Sequence, residues 1–367
     1  MAGFVPPPYP YDRLAPIAAE AARHDGGAVD LSIGTPCDPP PPEVVAALAD
    51  PTPARGYPPS IGTPAYREAA AGWLARRFGA ELPVEQVAAC VGTKEFVAGV
   101  PQWLRLRNPE RDTVLYPAVS YPTYAMGATL AGCRAVPVPV DDAWRIDLSR
   151  IEPADADRAL CLWVNTPGNP CGGVDDLAAA ADWGRRHGVP VLSDECYAEF
   201  TWNGPPRSIL RSGSDGVLAV HSLSKRSNLA GARIGFYAGD GDLVGYLSEV
   251  RKHAGFMPAG PVQAAGVVAW ADDEHVDEQR ARYRERLDVL VEILAGMGVD
   301  ARLPDGAFYL WVEDPDGDGW PLARRLASEV GAVVSPGEFY GPTGAGRVRI
   351  AAVQPLERIR LLAARAG

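Results

Sequence analysis

One lysine stands in a polar, glycine-containing segment from His221 to Gly235, between two apolar runs. The runs from Gly216 to Val220 and from Ile234 to Tyr237 are typical of buried strands, which places Lys225 near the protein interior. An ammonium group there is costly unless it is paired, and a lysine that loses its proton becomes a nucleophilic amine. The flanking serines and Arg233 offer donors to an anion such as a phosphate ester. A nucleophilic lysine beside a phosphate site indicates pyridoxal phosphate; a solvated loop lysine is the alternative interpretation.

Polar side chains recur where predicted strands end, which is where a parallel sheet binds its ligands. From Thr113 to Val191 strands alternate with helical runs, so the predicted fold is α/β with a mostly parallel central sheet. The residues that follow these strands are Tyr121, Asn165, Asn169, Asp194 and Tyr197. A carboxylate such as Asp194 would keep a pyridine nitrogen protonated, while Tyr197 and Asn169 could donate to the phenolic oxygen of the ring. The alternatives are a helix cap for Asp194 and core packing for Tyr197.

Two glycines at predicted strand ends are further candidates for ligand contact. The sequence Gly92-Thr93-Lys94 separates the strand Val87 to Val91 from the helix Phe96 to Leu106. This arrangement aims backbone amides and a hydroxyl at an anion. Gly34 ends the strand Val29 to Gly34, where a ligand could approach the backbone, although a plain turn is equally compatible with the sequence.

The composition excludes several classes of protein. With 35 basic and 46 acidic residues the net charge is −11, and no basic stripe is present, which argues against a nucleic-acid partner. No apolar run is long enough to span a bilayer, and the N-terminus lacks the basic and apolar regions of a signal peptide, so a cytoplasmic protein is expected. The six cysteines are scattered without paired short spacings, which indicates reduced thiols and neither a metal site nor a disulfide framework.

A chain of 367 residues exceeds one simple core, so either two lobes or one large domain with an appendage is expected. The prediction is an N-terminal arm belonging to the small domain (1–40), a large cofactor-binding domain (41–276) and a small α/β C-terminal domain (277–367). A long amphipathic helix from Val276 to Met297 marks the change of domain.

Three linked motifs identify the chain as a member of a known family. They are Asn165-Thr166-Pro167-Gly168-Asn169-Pro170-Cys171-Gly172, Ser193-Asp194-Glu195-Cys196-Tyr197, and Ser222-Leu223-Ser224-Lys225 with Arg233 eight residues on. In order and spacing they resemble the class I/II aminotransferases of pyridoxal-phosphate fold type I, and the match runs from about Asp30 to about Arg360. The resemblance implies a large domain with a mostly parallel sheet and a small C-terminal domain.

The resemblance also implies a role for each matching residue. Lys225 would bond covalently to the cofactor and then move the proton between substrate and cofactor carbons. Asp194 would bind the pyridine nitrogen, Tyr197 and Asn169 the phenolic oxygen, and Tyr121 would stack on the ring. The other implied cofactor ligands, mostly around the phosphate, are Gly92, Thr93, Lys94, Ser222, Ser224 and Arg233. Tyr57 resembles a tyrosine that reaches the phosphate of the neighbouring subunit, which implies a homodimer with shared active sites.

Arg349 matches the family arginine that binds the substrate α-carboxylate through a bidentate pair. The backbone at Ile33-Gly34 and the side chain of Asn169 would assist it. Arg347 is the structural alternative, because strand alternation puts both arginines on one face and only the family register selects Arg349.

Further segments are similar to succinyldiaminopimelate aminotransferases of lysine biosynthesis, in which glutamate donates its amino group to N-succinyl-2-amino-6-oxopimelate. They are Leu31 to Pro39, Gly92 to Glu95, Ser224 to Gly231, Arg251 to Gly255 and Pro336 to Gly341. Two departures are Cys171, where threonine is usual, and Ala352-Val353-Gln354-Pro355, which replaces a small polar and acidic run. The alternative function is therefore an aminotransferase, cyclase or lyase acting on another amino acid in a specialised pathway. Lys94, Arg226, Arg251 and Lys252 are the candidate cations for a distal substrate carboxylate.

Overall fold

The computed structural model describes residues 4–366, which form two compact units. The small unit comprises residues 4–34, 283–303 and 308–366, and the large unit comprises residues 35–282 and 304–307. Among the described residues no helix combines the length and apolar character needed to cross a membrane.

The strands, in chain order, are β1 (Val29–Asp30), β2 (Val87–Cys90), β3 (Thr113–Pro117), β4 (Arg134–Val138), β5 (Ala159–Asn165), β6 (Val191–Asp194), β7 (Val217–Ser222), β8 (Gly235–Gly239), β9 (Tyr309–Glu313), β10 (Ala332–Val333), β11 (Ser335–Pro336) and β12 (Arg347–Ala351). The α-helices are α1 (Ala15–Ala21), α2 (Pro42–Ala49), α3 (Pro64–Phe78), α4 (Thr93–Arg107), α5 (Thr123–Leu130), α6 (Pro153–Arg158), α7 (Leu177–His187), α8 (Leu223–Arg226), α9 (Gly241–His253), α10 (Gly260–Ala271), α11 (Glu274–Gly296), α12 (Gly319–Val330) and α13 (Leu356–Ala366).

The large unit is built on a seven-stranded sheet with the order β2-β8-β7-β6-β5-β3-β4. Only β8 runs antiparallel to its neighbours, so the predicted α/β class with a mostly parallel sheet is confirmed. Within β7, Val217 and Ala219 pack into one apolar cluster, whereas Leu218 and Val220 pack into the other. Helices therefore cover both faces of the sheet, and the polar residues at its strand ends are left to bind ligands.

Local side-chain caps decide where the helices of the large unit begin. Thr63 precedes α3, and its hydroxyl accepts a hydrogen bond from the Tyr66 N–H at 3.2 Å. Helix α7 begins at Leu177, because the Asp176 carboxylate accepts from the Ala179 N–H at 3.0 Å.

The small unit contains a three-stranded antiparallel sheet, β11-β12-β9, and a parallel pair, β1 with β10. The strand predicted from Val29 to Gly34 is shorter than expected and ends at Asp30. The Asp30 carboxylate accepts bonds from both the N–H and the hydroxyl of Ser32, at 2.9 and 2.6 Å, which turns the chain away from the ladder. The Ser32 carbonyl can then accept bonds from side chains of the same unit.

Candidate cofactor and substrate site

Lys225 lies in the one-turn helix α8, where the sequence predicted a loop. The turn forms because the Ser222 hydroxyl, at the end of β7, accepts a hydrogen bond from the Ser224 N–H at 3.1 Å. Both serines are buried, and Lys225 is half-buried. A hydroxyl that accepts this bond still has its own proton to donate, so Ser222 fits the phosphate role implied by the family.

Arg226 fixes the lysine turn through buried side-chain contacts. Its side chain is 2% exposed and donates to the carbonyl of Ala269 at 2.5 Å and to the Asp273 carboxylate at 2.8 Å. Its Nε also lies 3.4 Å from a carboxylate oxygen of Glu199. Burial lowers the pKa of Arg226, and the carboxylates of Glu199 and Asp273 oppose this effect. Arg226 therefore anchors the turn immediately after Lys225 and is not available to a substrate.

Asp194 ends β6, beside the ends of two parallel strands. The sheet register pairs it with Asn165 of β5 and with Val220 of β7. Asp194 is buried; its carboxylate accepts from the Tyr124 hydroxyl at 2.8 Å and from the Cys196 N–H at 3.2 Å. Burial raises the pKa of Asp194, and these donors partly offset the increase. A cationic N–H partner, such as a protonated pyridine nitrogen, would stabilise this buried carboxylate further.

Tyr124 is a functional candidate that sequence reasoning missed. It was predicted only as a position in a helix, and it lies in α5 with its side chain fully buried. Its hydroxyl donates to Asp194, which is 70 residues away in the sequence. The only signal in the sequence that could have identified Tyr124 was its position three residues after Tyr121, in the segment that follows a strand.

The other predicted ring contacts lie at the same end of the sheet. Asn169 is buried and its N–H donates to the Asn165 side chain at 2.8 Å. Tyr197 is buried just before a 3-10 turn, Ala198–Phe200. Tyr121 is half-buried, and the Lys94 ammonium lies 6.0 Å from its ring centroid.

Gly92 and Arg233 form a cradle suited to an anion. Gly92 precedes α4 with φ of 73°, and a Cβ atom there would lie 2.4 Å from Nη2 of Arg233. Arg233 itself has a left-handed backbone, with φ of 55°, and donates to the Ala230 carbonyl at 3.0 Å. The structure thus brings a guanidinium group onto the start of a fifteen-residue helix whose first residue is Thr93. Backbone N–H groups, a hydroxyl and a guanidinium together are a phosphate-binding set.

Glu95 and Arg251 support this helix start. Glu95 accepts a bond from the Val91 N–H at 2.8 Å and pairs with Arg251, with Nη1 to Oε2 at 3.0 Å. Arg251 is 1% exposed. The expectation that Arg251 could bind a distal substrate carboxylate is therefore replaced by a structural role. Lys252 is exposed and lies 3.5 Å from Glu249.

Arg349 is held in an aromatic setting within the small unit. It is 2% exposed, and its guanidinium carbon lies 4.3 Å from the Tyr309 ring centroid and 4.9 Å from that of Tyr340. Its Nη2 donates to the Ser32 carbonyl and, at 3.3 Å, to the Tyr11 hydroxyl. Because planar rings on the guanidinium leave its edges for hydrogen bonds, this setting suits bidentate binding of a carboxylate.

Arg347, the alternative to Arg349 in the sequence, has a different partner in the structure. Arg347 pairs with Glu313 on the adjacent strand β9, so the two arginines of β12 have different environments. Gly34 is buried, and a Cβ atom there would lie 2.1 Å from the Tyr309 hydroxyl, which only glycine allows. Tyr57, of the large unit, is 96% exposed.

The residues present fit pyridoxal phosphate. Asp194 supplies a buried carboxylate for a ring nitrogen, the Gly92 and Arg233 cradle suits a phosphate, and Lys225 stands on an anchored turn. This is the class of site that a lysine-dependent pyridoxal enzyme needs.

The family model for aminotransferase class I and II matches residues 27–365. The chain belongs to this family, and its fold is that of the fold type I aminotransferases, as the sequence motifs predicted. It is therefore a pyridoxal-phosphate-dependent aminotransferase acting on small molecules.

Relatives with more specific names fall into two groups. The chain is 44% identical to 4-dedimethylamino-4-oxo-anhydrotetracycline transaminase OxyQ of Streptomyces rimosus, over 98% of each chain. It is 35% identical to LL-diaminopimelate aminotransferase of Aquifex aeolicus, over 96% of this chain and 94% of that protein. Among solved structures, a probable N-succinyldiaminopimelate aminotransferase of Thermus thermophilus matches with a TM-score of 0.87 and 32% identity, covering 98% of this chain and 99% of that chain.

Proposed function

We propose that this aminotransferase moves the amino group of glutamate to N-succinyl-2-amino-6-oxopimelate, as in the lysine pathway. The observation that carries the chemistry is Lys225 on a turn fixed by buried Arg226, in the same unit as the buried Asp194 carboxylate. The acceptor is supported by the motifs of the sequence and by the likeness to a probable N-succinyldiaminopimelate aminotransferase.

In this proposal each residue has one task. Bound pyridoxal phosphate withdraws electrons from the α-carbon of the substrate. The Lys225 amine removes the α-proton and returns it, and Asp194 keeps the ring nitrogen protonated. Gly92, Thr93 and Arg233 hold the phosphate, while Arg349 fixes the α-carboxylate. Ser222 and Ser224, with Lys94, complete the phosphate contacts, and Asn169, Tyr121 and Tyr197 bind and stack on the ring.

The distal carboxylate of the substrate needs a cation, and the structure narrows the choice. Of the four predicted candidates, Arg226 and Arg251 are buried and paired with Glu199, Asp273 and Glu95, and Lys252 lies beside Glu249. Lys94 is exposed and lies beside Tyr121, which is a proposed cofactor contact. We assign the distal carboxylate to the Lys94 side chain, in addition to the phosphate contact of its backbone.

A second candidate acceptor is a carbonyl compound of a specialised pathway. The 44% identity to a transaminase named for a tetracycline precursor favours it. So does the segment after β12, where Ala352 and Val353 are buried and the Gln354 amide donates to the Asp30 carbonyl at 2.9 Å. That segment supplies no acidic side chain for a basic or amide-bearing substrate.

The deciding experiment combines a half-reaction with an acceptor screen. Glutamate added to the holoenzyme should shift the absorbance of the bound cofactor and release 2-oxoglutarate, and Lys225→Ala should abolish both. The aminated enzyme is then offered succinylated oxopimelate, aromatic and branched oxoacids, and a cyclic ketone. Fastest turnover of the succinylated oxopimelate supports the proposal; preference for the ketone establishes the second candidate, and no response to glutamate refutes both.

A variant and an oligomer measurement complete the test. Lys94→Met should raise the KM of the succinylated acceptor about tenfold and leave monocarboxylic acceptors unchanged, because only the former carries a distal charge. An equal change in KM for both kinds of acceptor would contradict the assignment of Lys94.

We also propose a homodimer in which the exposed Tyr57 reaches the phosphate of the partner subunit. The test is sedimentation together with an activity assay at the same protein concentration; a monomer that is fully active would exclude this dimer.

A further inference from the structure

The N-terminal segment Tyr9–Leu14 packs onto the 3-10 turn Gly337–Tyr340, which follows β11. Arg13 forms an ion pair with Glu338 at 2.6 Å, and its guanidinium carbon lies 4.8 Å from the Trp320 ring centroid. Trp320 in turn donates to Glu338 at 2.7 Å. The segment is therefore held by specific contacts within the small unit, and its side chains have defined positions.

Tyr11 is placed by this segment at the guanidinium of Arg349. The Tyr11 ring lies 5.4 Å from that of Phe339, and its hydroxyl lies 2.8 Å from the Tyr340 hydroxyl and 3.3 Å from Nη2 of Arg349. Tyr11 is half-buried, whereas Arg349 and Tyr340 are buried. The Tyr11 hydroxyl thus stands at the more exposed side of the arginine that we assign to the α-carboxylate.

The hydrogen bonds of Arg349 show which partner a carboxylate would meet. The two bidentate edges of a guanidinium, Nε with Nη2 and Nη1 with Nη2, share Nη2. The two hydrogens of Nη2 are directed to the Ser32 carbonyl and to the Tyr11 hydroxyl. Ser32 is fixed, because its carbonyl also accepts from Ser335 at 2.7 Å and its N–H is bonded to Asp30. A carboxylate that binds Arg349 in bidentate fashion therefore competes with the longer bond, the one from Nη2 to the Tyr11 hydroxyl, and comes to lie beside that hydroxyl.

The phenol can donate to such a carboxylate. The Tyr340 hydroxyl lies 2.8 Å from the Tyr11 hydroxyl, and either group can donate in this pair; when Tyr340 donates, Tyr11 is the acceptor. The hydrogen of Tyr11 is then available to a carboxylate oxygen at Arg349.

We propose that Tyr11 is a substrate-binding residue whose hydroxyl, carried by the N-terminal segment, is a second ligand of the substrate α-carboxylate at Arg349. This inference rests on the proposed role of Arg349. It makes the N-terminal segment part of the substrate site, so that the affinity for every amino acid and oxoacid with an α-carboxylate depends on how that segment is seated.

The test is Tyr11→Phe, which removes the hydroxyl and keeps the ring. A hydrogen bond to a charged group contributes about 1.5–3 kcal/mol, so the KM for glutamate and for 2-oxoglutarate should rise about tenfold to 150-fold, with kcat within about twofold. The α-carboxamide of glutamate offers only a neutral acceptor, so in the spectral half-reaction its binding should weaken less than that of glutamate when the hydroxyl is removed. Tyr9→Phe, at a 56% exposed position, is the matched control and should leave the KM values for glutamate and 2-oxoglutarate unchanged.

A second variant separates binding from folding. Arg13→Met weakens the attachment of the segment and should raise the same KM values to a smaller extent, while thermal unfolding shows that each variant is folded. The role of Tyr11 is refuted if wild type responds to glutamate and Tyr11→Phe has an unchanged KM. It is also refuted if the substitution weakens the binding of the carboxamide as much as that of glutamate. If wild type does not respond to glutamate, the proposed function fails first.

Discussion

Replacing Gly92 by alanine tests the phosphate cradle directly. The backbone at Gly92 has φ of 73° and ψ of 149°, a region nearly restricted to glycine, so alanine costs about 1–3 kcal/mol of folding stability. The new Cβ would also lie 2.4 Å from Nη2 of Arg233 and 2.7 Å from its Cζ, which no real Cβ tolerates. The guanidinium must therefore move away from the start of α4.

The loss of this guanidinium sets the expected magnitude. One charge-assisted hydrogen bond to a phosphate contributes about 1.5–3 kcal/mol, which corresponds to about a tenfold to 150-fold weaker binding of pyridoxal phosphate. The assay is a titration of apoenzyme with the cofactor, followed by absorbance, beside urea unfolding of the apoenzyme.

Gly213→Ala is a matched control for the backbone effect. Gly213 has φ of 91° and ψ of 158°, a similar backbone region. A Cβ atom added there would also have an arginine nitrogen as its nearest neighbour, Nη2 of Arg185, but at 3.4 Å. Both variants should lose comparable apoenzyme stability, and only Gly92→Ala should lose cofactor affinity. Unchanged cofactor affinity in Gly92→Ala, or an equal loss in Gly213→Ala, would refute the cradle.

Three further predictions concern buried groups. Arg226→Met should lower the free energy of unfolding by about 1–3 kcal/mol in urea titrations, because the Ala269 carbonyl loses its buried donor while Glu199 keeps its contacts with Arg77 and Trp73; stability equal to wild type would contradict the anchoring role. Tyr124→Phe removes a donor to Asp194 and should raise the pKa of Asp194 further, which moves the acidic limb of the pH–rate profile to higher pH; an unshifted profile would exclude this. Burial raises the pKa of Asp175 from its usual 3.8 to about 6, so the folded state binds the proton more tightly and stability present below about pH 4 is lost as the pH rises through 6. The loss is about 3 kcal/mol, and Asp175→Asn should abolish this slope in unfolding measured from pH 4 to 8.

The sequence contained enough to predict the sheet and the residues at its edge. Parallel strands that are buried on both faces are continuous apolar runs in the sequence, and the motif residues stand at their ends. Asn165 is the last residue of β5, and Asp194 is the last residue of β6. The helix α3 was predictable for the same reason, since Thr63 and Pro64 mark its start locally. What could be predicted is what a few neighbouring residues encode.

The partners of these residues could not be predicted, because they come from distant parts of the chain. Tyr124 and Asp194 are 70 residues apart, and Tyr11 and Arg349 are 338 residues apart. Arg226 was a candidate for binding a distal substrate carboxylate from the sequence, and its actual partner Asp273 lies 47 residues on. Such pairings depend on packing, which no local pattern of polar and apolar residues contains.

The two buried arginines of the large unit indicate where substrate selectivity resides. Arg226 and Arg251 are 2% and 1% exposed, and each is bonded to carboxylates of its own unit. Separating a buried charge from its partner costs several kcal/mol, more than a new pair with a substrate carboxylate returns. Neither arginine can therefore exchange its partner for a substrate, although both lie in motifs shared with succinyldiaminopimelate aminotransferases. Those motif positions hold the lysine turn and the start of α4 in place, so in our proposal the choice of acceptor rests with a more exposed side chain, that of Lys94.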